Sequence, residues 1–202
     1  MNIEAMIEAV QTELGVHVDG RAGPQTWAAI YIRIVAPKLT DVSLVGGIAP
    51  ADPRSEKNIA TLLPEVQPYG RALIRKATLD GIRIKVIGGL RAYAEQDELY
   101  AQGRTKPGKI VTNAQGGYSN HNFGIVFDVG VFEGASYLPD SIKYKVVGAL
   151  GMELGLEWGG NWKTLVDQPH FQLRPIWATE LTEKQMLAEL RNRASSGTPV
   201  YA

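Results

Sequence analysis

Two of the chain's three histidines, His121 and His170, sit in separate polar motifs, and any fold of this sequence must either bring those motifs together or explain them apart. The first runs Ser119-Asn120-His121-Asn122-Phe123-Gly124-Ile125-Val126-Phe127-Asp128, and the second, well downstream, is Asp167-Gln168-Pro169-His170-Phe171. Each pairs an imidazole with a carboxylate. Gly124 permits the chain to bend between His121 and Asp128, so a strand residue can return beside the first imidazole.

The rest of the composition narrows the choices. With 202 residues and a hydrophobic fraction of 45%, the chain can build a medium-sized core with a small appendage. It has no cysteine, which excludes disulfides, thiolate metal sites and cysteine nucleophiles. Lysine plus arginine and aspartate plus glutamate both total 21, so the net charge of zero gives no pull toward nucleic acid or anionic lipid. No apolar run approaches membrane-spanning length. Acidic residues stand at the amino terminus where a secretory signal would be basic, so no signal peptide is expected.

Along the chain, Ile3, Met6, Ile7, Val10 and Leu14 recur at a helical period and Gly15 follows as a stop. A second helix is expected from Pro24 to Pro37, with Trp27, Ile30 and Ile34 on its buried side. Residues 38–51 read as a linker, and residues 52–178 as the main domain. Within it, Asp52 caps a helix and a second begins near Pro64. Ile82 to Val86 alternates as a strand, and Ala94 to Gln102 is helical. Phe127–Phe132 and Pro169–Leu173 read as strands flanking a helix over about Asp140–Leu154, with Ile142, Val146, Leu150 and Leu154 as its inner face. Residues 179–202 are expected to be a charged surface helix from Thr182 to Arg193 and a loose tail. The order of elements indicates α+β: a small antiparallel sheet with flanking helices around a zinc site, preceded by a small helical unit.

Catalytic zinc usually takes three protein ligands and leaves a fourth position open. His121, Asp128 and His170 supply three, whereas His17 lies in the amino-terminal helical unit and reads as a surface histidine. An ion held there would lower the pKa of water to about 7, and a nearby carboxylate could take its proton. Asp167 is the expected base, because Pro169 stiffens the interval to His170 and leaves the carboxylate facing the ion without ligating it. Glu157, in Glu157-Trp158-Gly159-Gly160-Asn161-Trp162, is the rival base, or else part of a turn held by two aromatic anchors. Arg91, after Gly88-Gly89-Leu90, is placed to meet an oxyanion or a substrate carboxylate; an ordinary surface arginine is the competing reading.

Ser119-x-His121-x-x-Gly124-x-x-x-Asp128 with Asp167-x-Pro169-His170-Phe171 resembles the zinc peptidases that include VanY-type D-alanyl-D-alanine carboxypeptidases, VanX-type dipeptidases and phage L-alanyl-D-glutamate endolysins. The resemblance spans about residues 55 to 175. It implies zinc on His121, Asp128 and His170, Asp167 as general base, Arg91 as transition-state stabiliser, and Gln96 and Ser119 near the substrate. Trp158-Gly159-Gly160-Asn161-Trp162 and an aspartate at position 167 are similar to the endolysin branch. Val126 departs from the family's usual alanine. Separately, Val10-Gln11, Leu14-Gly15-Val16, Asp19-Gly20, Gly23-Pro24 and Thr26-Trp27 resemble two helices of a three-helix peptidoglycan-binding repeat over residues 1–37.

The implied function is zinc-dependent cleavage of the L-alanyl-D-glutamate bond in peptidoglycan stem peptides. The implied protein is a monomer made in the host cytoplasm that acts on the wall after release. Alternatives are removal of terminal D-alanine, or a zinc-containing wall-binding module without turnover.

Overall fold

The structure, a computed structural model, describes residues 2–30, 51–163 and 165–202. Two compact units divide the chain, Met1–Gly47 and Ile48–Ala202. In the first, α1 (Ile3–Leu14) is capped by Asn2, whose side chain accepts from the Ala5 amide at 2.8 Å, and ends at Gly15 in the left-handed region (φ 67°). α2 (Pro24–Ile30) follows a loop pinned by buried Gln11. The Gln11 amide donates to Asp19 Oδ1 at 2.7 Å and to Thr26 Oγ1 at 3.0 Å, and its Oε1 accepts from the amides of Asp19 and Gly20.

Trp27 departs from expectation. It is 60% exposed, lining an open apolar groove with Ile3, Met6, Ile7 and Val10 of α1. Ile34, the expected continuation of α2 to Pro37 and the linker up to Pro50 lie outside the described residues.

The second unit is built on an antiparallel sheet in the order β1-β2-β5-β4: β1 (Arg83–Gly88), β2 (Val126–Glu133), β5 (His170–Gln172) and β4 (Glu157–Trp158). A short β3 (Ser136–Tyr137) forms a hairpin with β2. Three helices complete the main core: α3 (Pro53–Ile59), capped by Asp52, α4 (Gln67–Leu79) and α6 (Lys143–Glu153). α5 (Tyr93–Ala101) follows β1.

Strand alternation sorts the sheet's two faces. Phe127, Phe171 and Trp158 are cross-strand neighbours in the apolar core, and the two phenyl rings stack with centroids 6.0 Å apart. Gly88, Asp128 and His170 form the next row, and the side chains of Asp128 and His170 lie on the opposite face.

α6 presents a different face from the one periodicity suggests. Ile142 is 79% exposed and Val146 is also exposed, whereas Tyr144, Val147, Gly148 and Gly151 are buried with Leu150 and Leu154. The reason is that the indole of Trp158 and the ring of Phe171 fill the space above Gly148 and Gly151. A Cβ added at those positions would lie 2.4 Å and 2.3 Å from ring carbons. A helix face made of glycine is invisible to a count of large apolar residues.

The carboxyl-terminal region is also corrected. α7 (Glu183–Ser196) buries Met186 and Leu190 in a second core with Phe123, Ile125, Val126 and Ala178. The tail is docked rather than loose: the Tyr201 hydroxyl donates to the Leu173 carbonyl at 2.7 Å, and Trp177 Nε1 donates to the Val200 carbonyl at 2.6 Å.

Candidate metal centre

The two motifs meet. A 3-10 turn, Asn120–Phe123, places His121 beside the sheet and ends at Gly124 (φ 69°), after which β2 carries Asp128 back past the imidazole. In register, Asp128 is flanked by Gly88 on β1 and His170 on β5. A bulge lies between Val86 and Gly88, and a Cβ at Gly88 would come within 2.9 Å of Asp128 Oδ2, so the missing side chain makes room for the carboxylate.

One ligand atom from each of His121, Asp128 and His170 falls within 4.8 Å of the others. His121 Nε2 is 3.4 Å from Asp128 Oδ2, and His170 Nδ1 is 3.8 Å from Asp128 Oδ1. Tetrahedral bonds of about 2.0–2.1 Å imply ligand separations of about 3.3 Å, so this triad needs little adjustment to hold an ion.

Three observations test the fit. Asp128 Oδ1 is buried without a hydrogen-bond partner, a costly state that a cation would relieve. His121 Nδ1 is 2.9 Å from the Gly89 carbonyl, which can only accept, so Nδ1 carries the proton and Nε2 is left with a lone pair facing the triad. His170 Nε2 is 3.0 Å from Gln172 Oε1, and its Nδ1 faces the carboxylates.

Electrostatics fit the same picture. Burial works against ionisation of Asp128, but the His121 and His170 imidazoles and Arg91 hold its carboxyl below the ordinary value. For Asp167, burial and the Asp128 charge together push the carboxyl up, against the pull of both histidines and Arg91. Burial, with His121 adding to it, depresses the His170 imidazole.

The other expected residues take distinct places. Asp167 Oδ2 is 3.9 Å from His170 Nδ1, and its carboxylate stands at the open side, partly exposed. Gly159 allows this approach: a Cβ there would lie 2.5 Å from the Asp167 carbonyl oxygen and 3.0 Å from His170 Cβ. Trp158 Nε1 donates to the Gln168 carbonyl at 2.8 Å, and the Trp162 ring lies 4.6 Å from the His170 ring, so both tryptophans brace the second motif.

Arg91 is strapped to the first motif: its amide donates to the His121 carbonyl at 3.0 Å and its carbonyl accepts from Asn122 Nδ2 at 2.8 Å. Its guanidinium donates to Oε1 of Gln96 at 2.8 Å. Gln96 is fully buried and donates in turn to the Ala114 carbonyl at 2.7 Å. Ser119 opens the 3-10 turn, its amide donating to Asn122 Oδ1 at 3.4 Å; among the described residues it has no hydrogen bond to the triad. Glu157 has both carboxylate oxygens engaged, one by Gln172 and one by Arg174.

Gln172, Asn120 and Arg174 escaped the sequence reading. The available signal was strand alternation, which sets Gln172 on the same face as His170.

Two imidazoles and a carboxylate with a second, partly exposed carboxylate beside them define a metal-dependent hydrolase site. A family model described as D-alanyl-D-alanine carboxypeptidase matches residues 112–173. The peptidoglycan L-alanyl-D-glutamate endopeptidase CwlK of Bacillus subtilis (strain 168) is 38% identical over 124 residues, covering 56% of this chain and 74% of the relative. Among solved structures, the Serratia marcescens L-Ala D-Glu endopeptidase ChiX aligns with 67% of this chain and 94% of its own, at 28% identity and a TM-score of 0.48. The vancomycin resistance D,D-pentapeptidase VanY, solved with Zn(II), aligns with 65% of this chain and 84% of its own, at 20% identity and a TM-score of 0.45. The chain belongs to the family of peptidoglycan peptidases that includes CwlK.

Proposed function

We propose that this protein is a zinc-dependent peptidoglycan peptidase that cleaves the L-alanyl-D-glutamate bond of the stem peptide. The observation that carries the reading is the convergence of His121, Asp128 and His170 with Asp167 at their open side. The choice of bond is supported by the 38% identity to CwlK, an enzyme of that specificity. His121 Nε2, the Asp128 carboxylate and His170 Nδ1 would hold the ion. When bound, zinc supplies Lewis acidity that makes water a nucleophile near neutral pH and polarises the scissile carbonyl.

The protein's own groups do the rest. Asp167 takes the proton of the attacking water and returns it to the leaving amine; its upward-shifted carboxyl suits it to both roles. Arg91, oriented by Gln96, meets the negative charge that develops on the carbonyl oxygen or a substrate carboxylate. Ser119 lines the approach. The similarity of the tryptophan-glycine motif to endolysins extends the reading to a lytic enzyme that reaches the wall after release, with residues 1–37 as a wall-binding hairpin.

Mass spectrometry of purified peptidoglycan fragments, incubated with zinc-loaded protein beside an Asp167→Ala control, tests the proposal. New L-alanine carboxyl ends and D-glutamate amino ends, reduced about 10²–10⁴-fold in rate by the substitution, are expected. Release of terminal D-alanine would make it a carboxypeptidase, the activity in the matching family model's description. No product from any fragment would leave a wall-binding module.

A further inference from the structure

Behind His170, five side chains from four separate segments close into a ring of hydrogen bonds. Gln172 Nε2 donates to Glu157, and Arg174 Nε donates to the other oxygen of Glu157. Arg174 Nη2 donates to Glu183 Oε2 at 2.9 Å, Asn120 Nδ2 donates to Glu183 Oε1, and Asn120 Nδ2 also reaches Gln172 Oε1 at 2.8 Å, which closes the circuit. His170 Nε2 touches the ring at one atom, Gln172 Oε1. Glu157 and Gln172 are direct cross-strand partners, and Glu183 is the first residue of α7.

We propose that this ring is a positioning device that fixes His170 as the tautomer with its proton on Nε2, leaving Nδ1 free for the metal. The inference deepens the zinc reading and rests on it. The argument is donor and acceptor logic. An amide side chain can flip, exchanging its oxygen and nitrogen, and a neutral imidazole can carry its proton on either nitrogen. Carboxylates only accept. Glu157 therefore demands the NH2 end of Gln172, which turns Oε1 toward His170; Glu183 demands the NH2 end of Asn120, which also presents a donor to Oε1. With Oε1 an acceptor, a hydrogen bond from His170 requires Nε2–H. Arg174, always a donor, ties the two carboxylates together so that neither can release its amide.

The controlling residues are thus Glu157 and Glu183. α7, through Glu183, becomes part of the metal site although it contributes no ligand. This assigns Glu157 a role distinct from that of a base.

The test is imidazole ¹H–¹⁵N correlation spectroscopy of the metal-free protein at a pH well above the ordinary histidine pKa, with zinc affinity measured by chelator competition. In the wild type, His170 should show a single Nε2–H tautomer; an Nδ1–H form or a mixture overturns the proposal whatever the variants do. Glu157→Gln and Glu183→Gln each let an amide turn, so His170 should become a tautomeric mixture and the zinc dissociation constant should rise about 10–100-fold. A ring that merely braces the fold would lower the melting temperature of these variants and leave the tautomer unchanged, which also overturns it. Neither readout involves peptide cleavage, so failure of the peptidase reading would be seen separately, in the fragment analysis.

Discussion

The two faces of the β2–β5 pair differ in what holds them. On one, Phe127 stacks on Phe171 and Trp158 lies over Gly148 of α6, so close packing of apolar rings holds the arrangement. On the other, one residue along each strand, Asp128 and His170 sit in a largely buried polar cluster with an unpartnered carboxylate oxygen. Desolvated polar groups without partners cost free energy, so the second face is held in place by the first. Packing accuracy on one side is what allows incomplete bonding on the other.

Substitutions can break this contrast from either side. The largest effect falls on the polar face: His121→Ala should abolish turnover and tight zinc binding. It should also remove the rise in melting temperature that zinc gives the wild type, about 4 kcal/mol of stabilisation at a thousandfold excess over the dissociation constant. Calorimetry with and without chelator measures this, and a chelator-insensitive wild type would count against the assigned ligands.

Phe171→Ala, on the apolar face, should cost about 3–5 kcal/mol in denaturant unfolding while leaving all three ligands in the chain. A smaller effect comes from protons. The folded state depresses the His170 imidazole, so the unfolded chain binds its proton more readily, and stability of the metal-free protein should fall as pH drops below about 6.5. A single proton limits the slope to about 1.4 kcal/mol per pH unit. Asp167 acts with the opposite sign, since its raised carboxyl favours the folded state while protonated and loses that contribution as pH rises through the folded value. Melting curves of the metal-free protein across a pH series would lack the fall below about 6.5 if His170 were not depressed. The smallest effect sharpens the map of α6: Ile142→Ala, at a residue 79% exposed, should change stability by no more than about 0.5 kcal/mol.

How much of this was legible beforehand follows from the distances over which each pattern acts. The strand alternation of Ile82 to Val86 and the helical period of α4 are local signals, and both elements stand close to where they were expected. The α+β class and the sheet with flanking helices follow from that order. The residues of the metal cluster were conspicuous because histidine is so scarce here, and the structure brings their ligand atoms together. The ring behind His170 was hidden for the opposite reason. Asn120, Glu157, Arg174 and Glu183 are common surface types, and only the tertiary fold unites four separate segments. The inner face of α6 was missed because its closest contacts are made by residues with no side chain. The docked tail depends on Trp177 and Tyr201 finding backbone carbonyls, which no periodicity encodes.

The register of β2 against β5 has a consequence for how the protein comes into being. A nascent chain that has exposed His121 and Asp128 still lacks the strand that completes the cluster, and the helix carrying Glu183 emerges later still. Pairing across so long an intervening stretch carries a loop-closure cost and makes for slow, non-local folding. An ion held by His121, Asp128 and His170 would therefore have no finished cradle until β5 has paired with β2.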